Sequence, residues 1–330
     1  MNSTAQMSVR EVSKPAIGIP VFARVAVLGA GVMGAQIAAH FANAGIAALL
    51  FDLPKEGKDK SAIAKQAIKA LAKQKPEPLA IARYASRITP CNYDDDLEKL
   101  SACDLVIEAI AERMEWKGDL YQKIAPHLNP EAVLASNTSG LSITELAAGL
   151  PADLRRRFLG IHFFNPPRYM PLVELIAQAE TSPAVTDSIE SFCVATLGKG
   201  IVRARDTVNF IANRLGLFSM MAAIHHAERL ALNFETVDTL TGKSIGRPKS
   251  ATLRTADLVG LDTMRHVLNS TAESLKGDPW ASVYSIPGWL DTLVENGALG
   301  AKTKAGVYKK QEGEILVYEP ADSSYRKSRV

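Results

Sequence analysis

The chain of 330 residues has little cysteine, almost no excess charge and no long apolar run. Cys91, Cys103 and Cys193 are odd in number and share no metal-ligand spacing. They imply neither a disulfide framework nor a metal site, and a reducing cytoplasm is the plain reading. A net charge of +3 is too small to argue for nucleic acid or an anionic membrane surface. No apolar stretch approaches the roughly 20 residues of a membrane span. Residues 1–20 lack the apolar core of a secretory signal, and Arg10 and Lys14 against Glu11 match a transit peptide poorly. Residues 1–21 read as a loosely ordered leader. The remainder is long enough for two domains, with the 47% hydrophobic content of an ordinary globular protein.

What is present begins at Arg24. Val25 to Leu28 is an apolar run of the kind a buried parallel strand shows, and Gly29, Gly31 and Gly34 follow in G-x-G-x-x-G spacing. Ala35 to Ala44 is small and apolar, Gly45 closes that helix, and Ala48 to Phe51 is a second strand ending in Asp52. This is the dinucleotide-binding fingerprint in its full context. Gly29 permits the tight turn, Gly31 lets the backbone approach a pyrophosphate, and Gly34 lets the helix sit close on the strand. Ala30, Val32 and Met33 complete the turn, and the helix start offers N–H groups to phosphate. Asp52 stands about 20 residues beyond Gly31, the usual distance for a ribose-binding acid. Its carboxylate would repel a 2′-phosphate, and Leu53 and Pro54 supply no arginine, so NAD is favoured over NADP.

Further along, Lys65, Lys69 and Lys73 stand at helical spacing on one face, read as solvated or as a surface for a phosphate-bearing handle. Asp104 to Ala109, Ala132 to Ser136, Phe158 to Phe164, Leu172 to Ile176 and Gly200 to Val202 read as strands. Helical patterns at Trp116 to Leu128, Ser142 to Leu150 and Pro183 to Leu197 lie among them. The alternation predicts an α/β fold with a Rossmann-type, doubly wound, mostly parallel sheet over residues 22–203. Ser142 with Glu145 forms a capping box. From Val208 the pattern is helical, with no strong strand until Val307–Tyr308, which predicts an all-helical second domain over residues 204–330 whose long apolar helices suit a dimer interface.

A dehydrogenase needs a group to take the hydroxyl proton, and histidine titrates in the right range. Of six histidines, His40 reads as packing and His127 as a helix-end charge. His225 and His226 point to different faces of one helix, and His266 has no evident partner. His162 ends a strand, and Glu174 lies on the returning one. If the two strands pair about residue 168, these side chains stand opposite, with Cβ atoms about 5 Å apart. A carboxylate there would fix the imidazole tautomer.

Residues 135–140 (ASNTSG), 160–167 (GIHFFNPP), 172–176 (LVELI) and 210–214 (FIANR) carry a resemblance. Residues 107–117 (IEAIAERMEWK) and 299–308 (LGAKTKAGVY) add to it. With the glycine turn, these segments resemble the (S)-3-hydroxyacyl-CoA dehydrogenases of fatty-acid β-oxidation, from about residue 22 to 310. The resemblance implies NAD-dependent oxidation of a 3-hydroxyacyl-CoA, with an acyl-CoA as substrate. It makes His162 the general base, oriented and charged by Glu174. Ser139 then bonds the reacting oxygen, and Asn213 positions the substrate. For NAD it points to the glycine turn, Asp52, Glu112, Lys117, Ser139, Asn165 and Lys302.

The chain also departs from that pattern. Gly140 ends S-N-T-S-G where the family has serine, and Asn209 replaces the glycine before Phe210. The family's G-P-F-x-L-L-D stretch is absent, and Gly246 to Asp262 reads GRPKSATLRTADLVGLD instead. Lys304 replaces a glycine in the tail. No clear counterpart of the CoA-contacting serine is present, so acyl-chain range and CoA contacts stay unassigned. The 246–262 variant is similar to a bacterial branch in which an enoyl-CoA hydratase domain follows the dehydrogenase. A stand-alone homodimer and a piece of such a bifunctional chain both stay open. Two other readings are a related hydroxyacid or sugar-acid dehydrogenase and a non-catalytic NAD-binding protein of the lens type. Retention of both His162 and Glu174 argues against the last.

Overall fold

The computed structural model describes residues 22–275 and 277–329, so the leader expected over residues 1–21 lies outside the described residues. The chain divides into two compact units, one ending at Asp206 and the other beginning at Thr207.

The first unit carries β1 (Arg24–Leu28), α1 (Val32–Asn43), β2 (Ala47–Asp52), α2 (Ala62–Leu71), β3 (Ile88–Asn92), β4 (Leu105–Glu108) and α3 (Met114–Ile124). It continues with β5 (Val133–Ser136), α4 (Ile143–Ala148), α5 (Ala152–Arg155), β6 (Phe158–Phe163), β7 (Leu172–Ala177), α6 (Pro183–Ala195) and β8 (Gly200–Ala204). One eight-stranded sheet runs β3-β2-β1-β4-β5-β6-β7-β8. Pairing is parallel from β3 through β6, antiparallel between β6 and β7, and parallel again between β7 and β8. The inner strands are apolar on both faces because helices cover both: Val25 to Leu28 are wholly buried. Phe41 of α1 stacks on Phe192 of α6 at 6.2 Å, and Phe22 meets the same ring edge-on at 4.8 Å.

The sheet is the expected doubly wound, mostly parallel one. The sequence pattern did not mark β3, which lies at the sheet edge. Its residues ITPCN include Pro90, which an edge strand tolerates because one side makes no ladder bonds. Because β1, β2, β4, β5 and β6 are parallel, their carboxyl ends share one edge. Gly29, Asp52, Glu108, Asn137 and His162 therefore come to that edge, where the strand order reverses on either side of β1. The lysine face is shorter than its spacing implies: α2 ends at Leu71, before Lys73, and Lys65 bonds Asp59 at 2.8 Å.

The second unit is helical through α7 (Ala212–Arg229), α8 (Phe234–Thr241), α9 (Leu253–Val259), α10 (Leu261–Ser274) and α11 (Gly288–Glu295). Met221, Ile224, Leu261, Leu268, Leu290 and Leu293 form its core. α7 starts later than the helical pattern at Val208, because Asn209 and Phe210 take positive φ and the Asn209 amide donates to Thr271 Oγ1 at 2.7 Å. The expectation of an all-helical unit needs correction. β9 (Tyr308–Gln311), β10 (Glu314–Glu319) and β11 (Ser324–Lys327) form a three-stranded antiparallel sheet. Its cause is local: Glu312 and Gly313 both take positive φ, the requirement of a two-residue type I′ hairpin, and Val317 packs into the core.

Candidate active site

At the glycine turn each glycine meets a different demand. Gly29 has φ +102°, and a Cβ there would lie 2.8 Å from the Ala109 carbonyl oxygen. A Cβ on Gly34 would lie 1.8 Å from the Gly29 carbonyl oxygen, so only glycine lets α1 sit this close to β1. Around Gly31 no atom lies within 4 Å of such a Cβ, so the backbone faces open space. No side chain caps the first turn of α1, which leaves its N–H groups for an anion. Asp52 braces the turn: Oδ2 accepts from the Ala30 N–H at 2.6 Å and Oδ1 from the Leu53 N–H at 2.7 Å. A cleft of about 590 Å³, lined by Gly29, Gly31, Asp52, Leu53, Ile110 and Trp116 among others, opens beside it. That volume and the bare backbone at Gly31 fit the adenosine diphosphate half of NAD.

A buried carboxylate that the sequence reading missed lies next to this cleft. Glu108, wholly buried at the end of β4, accepts from Lys117 Nζ at 2.6 Å, Ile110 N–H at 2.7 Å, Ser136 Oγ at 2.7 Å and Tyr121 OH at 2.9 Å. Lys117 and Tyr121 reach it together because they stand one turn apart on α3. Burial, reinforced by Glu108, pushes the Tyr121 phenol well above its ordinary value, so it stays a donor. An acid inside the apolar run DLVIEA was the available signal for Glu108.

The resemblance implies a cofactor contact for Lys117. In the structure its side chain is 1% exposed and set between Glu108 and Glu112, the latter at 3.4 Å. Glu112 in turn holds the loop after β5. Its Oε1 accepts from Thr138 Oγ1 at 2.5 Å, Ser139 N–H at 2.8 Å, Ser139 Oγ at 3.2 Å and Gly140 N–H at 3.2 Å. Burial opposes its ionisation, but Lys117 and the bonds from Thr138 and Ser139 outweigh that and hold the carboxyl below its ordinary value. Asn137 ties the same loop to β6, its Oδ1 accepting from the Phe163 N–H at 2.9 Å.

The β6–β7 register sets His162 opposite Glu174, the pairing expected from a centre at residue 168. Nδ1 lies 2.7 Å from Glu174 Oε2, and both residues are buried. The Phe164 ring packs 4.4 Å from the imidazole. Asn165 is exposed in the loop that follows β6. Ser142 Oγ accepts from the Glu145 N–H at 3.2 Å, the N-cap half of the expected capping box. Asp206, which the sequence did not single out, takes the Ile143 N–H at 3.0 Å and the Thr144 N–H at 2.8 Å. The first unit thus gathers Asp52, Glu112, Lys117, Ser139, His162, Asn165 and Glu174 at one sheet edge. Asn213, in the first turn of α7, and Lys302, which pairs with Asp262 at 2.5 Å, belong to the second unit.

Comparison with known proteins identifies the family. Residues 24–207 match the model described as 3-hydroxyacyl-CoA dehydrogenase, NAD binding domain, and residues 210–310 match its C-terminal domain. The chain belongs to the 3-hydroxyacyl-CoA dehydrogenase family. A probable 3-hydroxyacyl-CoA dehydrogenase of Bacillus subtilis is 42% identical over 317 residues, covering 92% of this chain and 40% of that protein. The chain therefore spans well under half the length of that relative. A second, of Deinococcus radiodurans, is 40% identical over 292 residues, covering 88% of this chain and 84% of that one. Among solved structures, Mycobacterium tuberculosis FadB2 matches at TM-score 0.75 and 34% identity, covering 88% of this chain and 99% of that one. The matched NAD binding domain makes NAD the cofactor. No helix among the described residues is long and apolar enough to cross a membrane.

Proposed function

We propose that this chain catalyses the NAD-dependent oxidation of an (S)-3-hydroxyacyl-CoA to the 3-ketoacyl-CoA in fatty-acid oxidation. The observation that carries the proposal is the buried His162–Glu174 pair at 2.7 Å, at the strand edge that holds the glycine turn. Glu174 keeps the proton on Nδ1, so the neutral ring offers Nε2 to the 3-hydroxyl. As the hydroxyl proton reaches Nε2, Glu174 stabilises the imidazolium. A base so placed contributes about 10²–10⁴-fold. NAD⁺, when bound, supplies the acceptor for the C3 hydrogen. Ser139 Oγ turns from Glu112 Oε1 to donate to the reacting oxygen when substrate binds, while the Ser139 N–H stays on Glu112, and Asn213 positions the substrate. Gly29 to Gly34 and Asp52 hold the adenosine half of the cofactor, with Asn165 and Lys302 as further contacts. Glu112 and Lys117 act by fixing the Asn137–Gly140 loop, since the Lys117 ammonium is enclosed by carboxylates.

The residues 246–262 support kinship with the branch in which a hydratase domain follows the dehydrogenase, as does the greater length of the Bacillus relative. Exposed apolar side chains of the second unit, Leu215, Leu230 and Leu240 among them, support a homodimer. Three free, buried cysteines fit a reducing cytoplasm. The test of the reaction is acetoacetyl-CoA with NADH, followed by loss of NADH absorbance, with free acetoacetate as control. Oxidation of NADH only with the thioester is the expected result. No oxidation with short or long 3-ketoacyl-CoA overturns the proposal.

A further inference from the structure

Two departures from the family pattern converge on one pocket in the second unit. The pocket measures about 490 Å³, within the range of small-molecule sites. Residues 246–262 bring Lys249, Arg254 and Leu258 to it, and the tail brings Lys304. Lys310 of β9 adds a further cation on the face that carries Tyr308 and Ile315, whereas Lys309, its neighbour along the strand, points to the other face, over the Tyr325 ring at 3.9 Å. Among the described residues, no carboxylate forms an ion pair with Lys249, Lys304, Lys309 or Lys310. Arg254 lies over the Tyr308 ring at 4.8 Å and pairs with Asp238 at 3.8 Å, which leaves Lys249, Lys304 and Lys310 as the cations without a carboxylate partner. Leu258, Ala301, Tyr308 and Ile315 lie between the cations, together with Ser250 and the Asp257 carboxyl, whose oxygens accept from the Val307 and Tyr308 N–H groups at 2.8 Å. Leu258 is 67% exposed and Ile315 46%.

Lys304 adds a second, independent signal. It has φ +60°, the left-handed conformation in which a glycine is unstrained and a lysine is not. The site therefore keeps a strained lysine at the pocket where the family pattern has a glycine. A cluster of like charges is itself repulsive, and an occupant of opposite sign relieves that repulsion. One carboxylate would leave most of the cations unmatched, whereas a chain of phosphates spans several. The apolar side chains match an aromatic or apolar body attached to those phosphates.

We propose that this pocket binds a polyphosphate-bearing ligand with an aromatic body, of the adenosine diphosphate class, at a site separate from the glycine turn. The test titrates ADP, and in parallel inorganic pyrophosphate, into the full chain saturated with NADH, by calorimetry. ADP should bind saturably, at least about tenfold more tightly than pyrophosphate, and more weakly as salt is raised. Lys304→Gly should weaken ADP about tenfold, the scale of one charged hydrogen bond, while leaving the melting temperature unchanged or higher because the strain is gone. Lys310→Ala should weaken it similarly, whereas Lys309→Ala, on the other face of the strand, should not. Absence of ADP binding, binding untouched by Lys304→Gly and Lys310→Ala, or pyrophosphate binding as tightly as ADP would overturn the proposal.

Discussion

Replacing Glu108 by glutamine tests the electrostatic frame beneath the loop that carries Ser139. The change keeps shape and removes charge. Lys117, with a side chain 1% exposed, would lose its 2.6 Å partner and keep only Glu112 at 3.4 Å. Leaving a buried charge unpaired costs about 3–5 kcal/mol. A second argument bounds the same quantity. Lysine can surrender its proton instead, which at pH 7 costs about 1.4 kcal/mol for each of about three and a half pH units, or about 5 kcal/mol. The two limits agree, so a loss of about 3–5 kcal/mol is expected for the first unit. Adding Lys117→Met should recover much of the loss, because the stranded charge is then gone. Urea unfolding by far-UV circular dichroism, with hydrogen exchange at β4 and β5 to isolate the first unit, reads these effects. A deficit below about 1 kcal/mol, or no recovery in the double variant, would show that Lys117 is better solvated than its enclosure implies.

Four further outcomes follow from the same geometry. Gly31→Ala should keep the fold and weaken NADH binding, because its Cβ enters open space, whereas Gly34→Ala should lower the melting temperature as well, because its Cβ would lie 1.8 Å from the Gly29 oxygen; equal melting temperatures would contradict this. Asp52→Ala should raise the KM for NADH by loosening the turn at Ala30 and should relax discrimination against NADPH; unchanged selectivity would place that choice elsewhere. Burial, with Lys199 and Arg168 nearby, lowers His40 from 6.5 to about 4. The unfolded chain therefore takes up this proton first, and stability should fall between about pH 6.5 and pH 4, by at most about 3 kcal/mol. His40→Leu should flatten that slope, and an identical acid profile in the variant would exclude His40 as its source.

The parts of this site that were legible in sequence are those in which chain order carries the geometry. The glycine turn and Asp52 lie within one β-α-β unit, so spacing alone specifies their meeting. His162 and Glu174 flank a hairpin, and a symmetric hairpin places equidistant residues opposite each other. Glu108 escaped because a lone acid in an apolar strand gives no clue to its partners, which come from α3 and β5. Lys117 carried the family's pattern but not its environment, since burial depends on how α3 packs. β3 was obscured by Pro90, and the small sheet of the second unit by a hairpin whose turn is Glu312–Gly313, not the favoured Asn-Gly pair. Asp206 is remote in sequence from the helix it caps, and capping by a distant carboxylate leaves no local signature.

The central claim is that His162, held by Glu174, takes the hydroxyl proton while the glycine turn holds NAD. Its most direct test compares the native chain with His162→Gln in acetoacetyl-CoA reduction, alongside NADH affinity measured by fluorescence titration. The account predicts unchanged NADH affinity and a kcat lower by about 10²–10⁴-fold. A kcat near that of the native chain in His162→Gln would contradict it.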